Sequence, residues 1–83
     1  MGMEDFNPRR TLEELKALRS LTGDAKGAQR VAFTPTWVAA RKFLTDRLEE
    51  LPVEVHRDAA GNLWATLEGD SEDALLIGGH IDS

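Results

Sequence analysis

The stretch Ala74-Leu75-Leu76-Ile77-Gly78-Gly79-His80-Ile81-Asp82-Ser83 decides the fold. Residues 74–77 are apolar at every position, so a strand there would have no polar side. Such a strand suits the middle of an α/β sheet, with a layer on each face. Gly78-Gly79 ends it, and His80 and Asp82 follow. In extended backbone alternate side chains point the same way, so the imidazole and the carboxylate share a side. An imidazole can bind a divalent metal while a nearby carboxylate fixes its orientation or the metal's surroundings. The end of a sheet strand is where α/β folds put their sites, and the paired glycines allow close approach of backbone and metal. The same triplet also reads as polar loop beyond a strand end, since His-x-Asp alone is a weak motif.

Working outward, Val53 to Arg57 and Leu63 to Leu67 alternate in polarity, with Val53 and Val55 on one side and Glu54 and His56 on the other. Asp58-Ala59-Ala60-Gly61-Asn62 between them is turn-like, because Gly and Asn tolerate positive φ. The pair is predicted to be an antiparallel hairpin. Upstream, Thr34-Pro35 opens a helix, with Thr34 as N-cap and Pro35 at the first helical position. Trp37, Ala40, Leu44, Leu48 and Leu51 form its apolar stripe, Lys42, Asp46, Glu49 and Glu50 lie opposite, and Pro52 ends it. Asp24 to Phe33 reads as a loop. Thr11-Leu12-Glu13-Glu14 is a capping-box pattern predicting a helix to about Leu21, with Leu12, Leu15 and Leu18 buried and Gly23 as its stop.

The expected order is helix, helix, strand, strand, strand: an α/β class, with residues 1–10 as a flexible leader and 11–83 as one incomplete domain. A strand that wants neighbours on both edges lies within six residues of Ser83, which is the physical sign of incompleteness.

Composition narrows the function. The net charge is -5, with 15 acidic and 10 basic residues, a poor match to phosphate backbones, so no nucleic-acid partner is expected. There is no cysteine, which excludes disulfides and thiolate metal sites. No apolar run approaches membrane-spanning length, and the polar first ten residues lack the apolar core of a secretory signal. The expectation is a cytoplasmic protein without a membrane partner.

Three segments resemble the family of N-carbamoyl-amino-acid hydrolases and allantoate amidohydrolases. Gln29-Arg30-Val31-Ala32-Phe33-Thr34-Pro35 is similar to that family's Arg-x-Ala-aromatic-Ser/Thr segment. Asp58-Ala59-Ala60-Gly61-Asn62-Leu63-Trp64-Ala65 is similar to its Asp-Ala-x-Gly-Asn-aliphatic-aromatic hairpin. Leu76-Ile77-Gly78-Gly79-His80-Ile81-Asp82-Ser83 resembles its Gly-Ser-His-aliphatic-Asp-Thr/Ser segment, with Gly79 in place of the usual Ser. The three occur in order and cover most of residues 29–83.

The resemblance implies a zinc-peptidase-like, three-layer catalytic domain with an inserted dimerisation domain, hence a homodimeric parent enzyme. It implies two divalent ions that activate water against a ureido or amide carbon of an N-carbamoyl amino acid, ureido acid or allantoate. His80 would be the first metal ligand and Asp82 the catalytic carboxylate supporting the site. The family's other ligands, its catalytic Glu and its substrate-binding Arg have no counterpart here. One imidazole suits zinc, manganese, cobalt or nickel alike. A catalytic zinc takes three protein ligands, so this chain by itself is expected to be inactive.

Other residues have plainer roles. His56 is expected to face solvent, Trp37 to be core, and Trp64 to face away from Leu63 and Ala65. Arg30 could contact substrate, but a helix-entry or loop-anchoring role is the expectation. Glu13-Glu14 and Glu49-Glu50 diverge on helices and form no acid–base pair. A competing reading is a non-catalytic module that pairs through a sheet edge at Ala74–Ile77, with itself or with a partner.

Overall fold

Asn7-Pro8 opens the first helix. In the computed structural model, which describes residues 6–83, α1 spans Pro8–Thr22. The Asn7 side chain accepts from the Arg10 amide at 3.2 Å, and Pro8 occupies a first-turn position where its missing N–H costs nothing. The expected Thr11 cap is therefore corrected: Thr11 lies inside the helix, and Glu14 pairs with Arg10 at 2.9 Å instead of closing a capping box. Of the expected leader, residues 1–5 lie outside the described residues, and Pro8 to Arg10 are helical. Leu12 and Leu15 are each 57% exposed, against the expected burial. Their spacing makes an apolar stripe, but a stripe is buried only where another layer meets it.

Gly23 ends α1 as expected, in extended rather than left-handed backbone. The helix runs directly into a small hairpin, where a plain loop was expected. β1 (Gly23–Asp24) pairs antiparallel with β2 (Gly27–Ala28). Gly23 is required sterically, because a Cβ there would sit 2.9 Å from the Arg19 carbonyl and 3.0 Å from that of Gly27. The Asp24 carboxylate accepts from the Lys26 amide at 2.8 Å and from the Gln29 side chain at 3.2 Å.

α2 covers Pro35–Glu49. Thr34 caps it as read from the sequence: its hydroxyl accepts from the Trp37 amide at 3.3 Å and donates to the Val31 carbonyl at 2.6 Å. Just before the cap, Phe33 adopts φ 69, a left-handed conformation that strains a bulky residue. Its ring leans on Trp37, with centroids 5.1 Å apart, yet the side chain is 86% exposed. Farther along, Lys42 and Asp46 pair at 2.9 Å on the exposed side, and Arg47 lies over the Phe43 ring at 4.6 Å.

The second hairpin matches expectation. β3 (Glu54–Arg57) pairs antiparallel with β4 (Leu63–Thr66), in the register Val55 with Ala65 and His56 with Trp64. Val55 and Leu63 are half-buried, while Glu54 and His56 are exposed.

The expected third strand is absent. Residues 74–77 form no ladder among the described residues, and Leu75 and Ile77 are 88% and 85% exposed. Apolar side chains favour burial, but a strand exists only where a neighbouring backbone accepts and donates its hydrogen bonds. The described fold is thus two helices and two small antiparallel sheets, each of two strands. The chain divides into two units: residues up to Ala40 with Ile81–Ser83, and Arg41–His80. Among the described residues Ala40 is the one buried apolar residue and Thr22 the one buried polar residue. Local caps and turns therefore carry the order that a core would otherwise impose. No helix among the described residues is long and apolar enough to cross a membrane.

Because Thr34 satisfies the first turn of α2, Thr34→Ala is expected to cost about 1 kcal/mol. Urea unfolding followed by helical circular dichroism measures it, and an unchanged midpoint would show that the cap adds nothing.

Candidate functional site

Arg30 precedes α2 on the segment leaving β2, and it ties down the last residues of the chain. Its amide donates to the Ser83 hydroxyl at 2.7 Å, and its carbonyl accepts from the Ser83 amide at 3.0 Å. Its guanidinium Nε donates to the Ile81 carbonyl at 2.8 Å, while Nη1 donates to the Thr22 hydroxyl at 3.2 Å. The Ser83 hydroxyl also lies 3.3 Å from the Ala28 carbonyl and donates to it. Thr22 is buried and its hydroxyl donates to the Leu18 carbonyl at 2.7 Å, so the clasp is rooted in the last turn of α1. Arginine suits this post: its planar fork presents several donors in fixed directions.

Asp82 sits between the two residues so held, and its neighbour Ile81 is half-buried. Its carboxylate is on an exposed residue. His80 is likewise exposed and belongs to the Arg41–His80 unit. Both lie in irregular backbone, not at the end of a strand. Among the described residues no three His, Asp or Glu side chains converge where a metal could sit. An imidazole and a carboxylate are hard-to-borderline donors of the right type for zinc or manganese. Two donors fall short of the three that a catalytic zinc takes from protein. The residues present do not by themselves fit the metal.

The turn at Asp58 is built as a cage around one carboxylate. Asp58 Oδ1 accepts from the Ala60 amide at 3.0 Å and the Asn62 amide at 2.9 Å. Oδ2 accepts from the Asn62 side chain at 3.0 Å and from the Trp64 indole at 2.8 Å. Gly61 turns the chain at φ +89, and its amide donates to the Asp58 carbonyl at 3.0 Å. Asp58, Gly61, Asn62 and Trp64 therefore form one hydrogen-bonded unit. The indole hydrogen bond first, then those of Asn62, hold the carboxyl well below its ordinary 3.8, at about 2. Trp64 is fixed edge-on to the carboxylate, and His56 stacks beside it at 6.3 Å and 10°. The role of this segment is architectural: its polar groups face one another, not a common point where substrate would lie.

Sequence reasoning identified Arg30 as an anchor, and the structure bears that out. It missed Ser83 and Thr22 as the anchor's partners. Ser83 lies 53 residues from Arg30, and no periodicity or local motif links positions so far apart. The weak signal was that Arg30 stands second in the first resemblance segment and Ser83 closes the third.

The fully ionised Asp58 stabilises the turn. Its folded value lies below its unfolded one, so the contribution is complete above about pH 4 and is lost as pH falls toward 2. The Trp64 indole proton resonance should therefore shift with a midpoint near 2, and Asp58→Asn should abolish that transition. A midpoint near 4 would show that the carboxylate is not caged.

No family model matches the chain, and no solved structure does. Curated proteins similar to it include the N-carbamoyl-L-amino-acid amidohydrolase of Paenarthrobacter aurescens, 28% identical over 85 residues. The alignment takes in 100% of this chain and 21% of that protein. The N-carbamoyl-L-amino acid amidohydrolase of Geobacillus stearothermophilus is 37% identical over 59 residues, covering 69% of this chain and 14% of that protein. The chain thus spans about a fifth or less of the length of the curated relatives it matches.

Proposed function

We propose that the chain carries the first metal-ligand segment of a metal-dependent amidohydrolase acting on the C–N bond of N-carbamoyl amino acids or related ureido acids. The observation that supports it most is the similarity over the whole chain to a protein named for that activity. A second support is the way Arg30 of the first resemblance segment bonds to Ile81 and Ser83 of the third. In this reading His80 supplies one ligand to a divalent ion such as zinc or manganese, and Asp82 supports it. Further donors must come from elsewhere, in accord with the matched share of the relatives. The substrate is a small ureido or amide compound, and the setting is cytoplasmic.

A chimera tests the proposal. The matched segment of the Geobacillus stearothermophilus relative is replaced by its counterpart from this chain, and hydrolysis of an N-carbamoyl-L-amino acid is followed. Activity is expected, with His80→Ala lowering kcat/KM by at least about 100-fold and Asp82→Ala by about 10- to 100-fold. The 83-residue chain alone should give no turnover. A chimera indifferent to His80→Ala would overturn the proposal.

A second reading, self-association through residues 74–77, draws on the exposure of Leu75, Leu76 and Ile77. Unpaired apolar backbone is a template for edge-to-edge pairing. Sedimentation equilibrium should then show a concentration-dependent dimer that Ile77→Lys disperses. A monomer at every concentration removes this reading.

A further inference from the structure

We infer that Arg30 is a positioning residue that sets the peptides on either side of Asp82 and so aims its carboxylate. This role rests on the amidohydrolase reading for its chemical purpose, but its geometry stands independently.

Arg30 grips the segment at two points on either side of Asp82. The side chain holds the Ile81 carbonyl at 2.8 Å, and the main chain exchanges bonds with Ser83 at 2.7 and 3.0 Å. With Ile81 and Ser83 both tied, rotation of the Asp82 peptides requires breaking bonds on one side or the other. The guanidinium is itself oriented by Thr22 at 3.2 Å. Since Thr22 is buried at the end of α1, the position of that helix end is passed through a rigid plane to Ile81. Ser83 is further fixed by the Ala28 carbonyl on β2 at 3.3 Å. Arg30 and Ser83 thus link the end of the chain to α1 and β2.

Charge alone would not do this. An ammonium at the same place is a point donor on a flexible stem, unable to hold Ile81 and Thr22 with the fixed angle of a guanidinium. Arg30→Lys therefore separates geometry from charge. Arg30 touches no reacting atom in this scheme. Its effect on catalysis passes through the orientation of Asp82 and its neighbour.

Amide hydrogen exchange on the 83-residue chain tests the clasp. Arg30→Gln and Arg30→Lys each remove the guanidinium hold on the Ile81 carbonyl, which loosens the chain leading to Ser83, and are expected to speed exchange of the Ser83 amide, held by the Arg30 carbonyl, about tenfold. Exchange at Val55 and Ala65 in the second hairpin should stay unchanged. Unaltered Ser83 exchange overturns the clasp, and so does uniform acceleration of all amides, which would mark a general structural role. In the chimera, Arg30→Lys should lower kcat about tenfold with KM within about twofold, as misaimed groups do when binding is intact. An unchanged kcat overturns the positioning role. A chimera inactive even with Arg30 in place removes the amidohydrolase reading, and the Ser83 exchange rates then decide the clasp by themselves.

Discussion

The hydrogen bonds from Arg30 to Ile81 and Ser83 are the constraint on which the candidate site depends. With the bond from the Ser83 hydroxyl to the Ala28 carbonyl, they join the first half of the chain to its last three residues across more than fifty positions. They matter more here than comparable bonds in a larger domain, because Ala40 is the one buried apolar residue among those described. With little apolar surface withdrawn from water, orientation must come from directional interactions. A guanidinium shared between a helix terminus and a remote carbonyl supplies direction in a way that dispersive packing of small residues cannot.

The same logic governs the second hairpin. Its turn has no core beneath it, yet the Asp58 carboxylate collects four donors from three residues. Each donor lies within six positions of Asp58, so the turn closes on itself without help from any distant part of the chain. The cost of ordering is small because the residues are already neighbours, and Gly61 meets the one left-handed position without strain. Phe33 is the contrasting case. Its left-handed backbone is unfavourable for an aromatic residue, and the offset is local contact with Trp37.

The two sets of ties fall in different places. The ties at Asp58 are satisfied within one turn. Those at Arg30 reach Ile81 and Ser83 on either side of Asp82, which is exposed. The two sets of ties thus differ in reach, although both occur in segments that resemble the same enzyme family.

What the sequence determined by itself was local. Thr34-Pro35 as a helix start, Gly23 as a helix stop, and the hairpin around Asp58-Ala59-Ala60-Gly61-Asn62 all follow from interactions within about four to six residues. The misread helix start at Thr11 was local too: Asn7-Pro8 offered a competing cap, and only the built helix shows which one prevailed. The strand expected at Ala74–Ile77 failed for a different reason. Its apolar pattern states a preference for burial, whereas a strand needs a partner backbone, and residue type does not specify one. The meeting of Arg30 with Ile81 and Ser83 was likewise decided by the tertiary structure alone. Contacts between residues more than fifty positions apart depend on the path of everything between them, and no spacing in the sequence encodes that path.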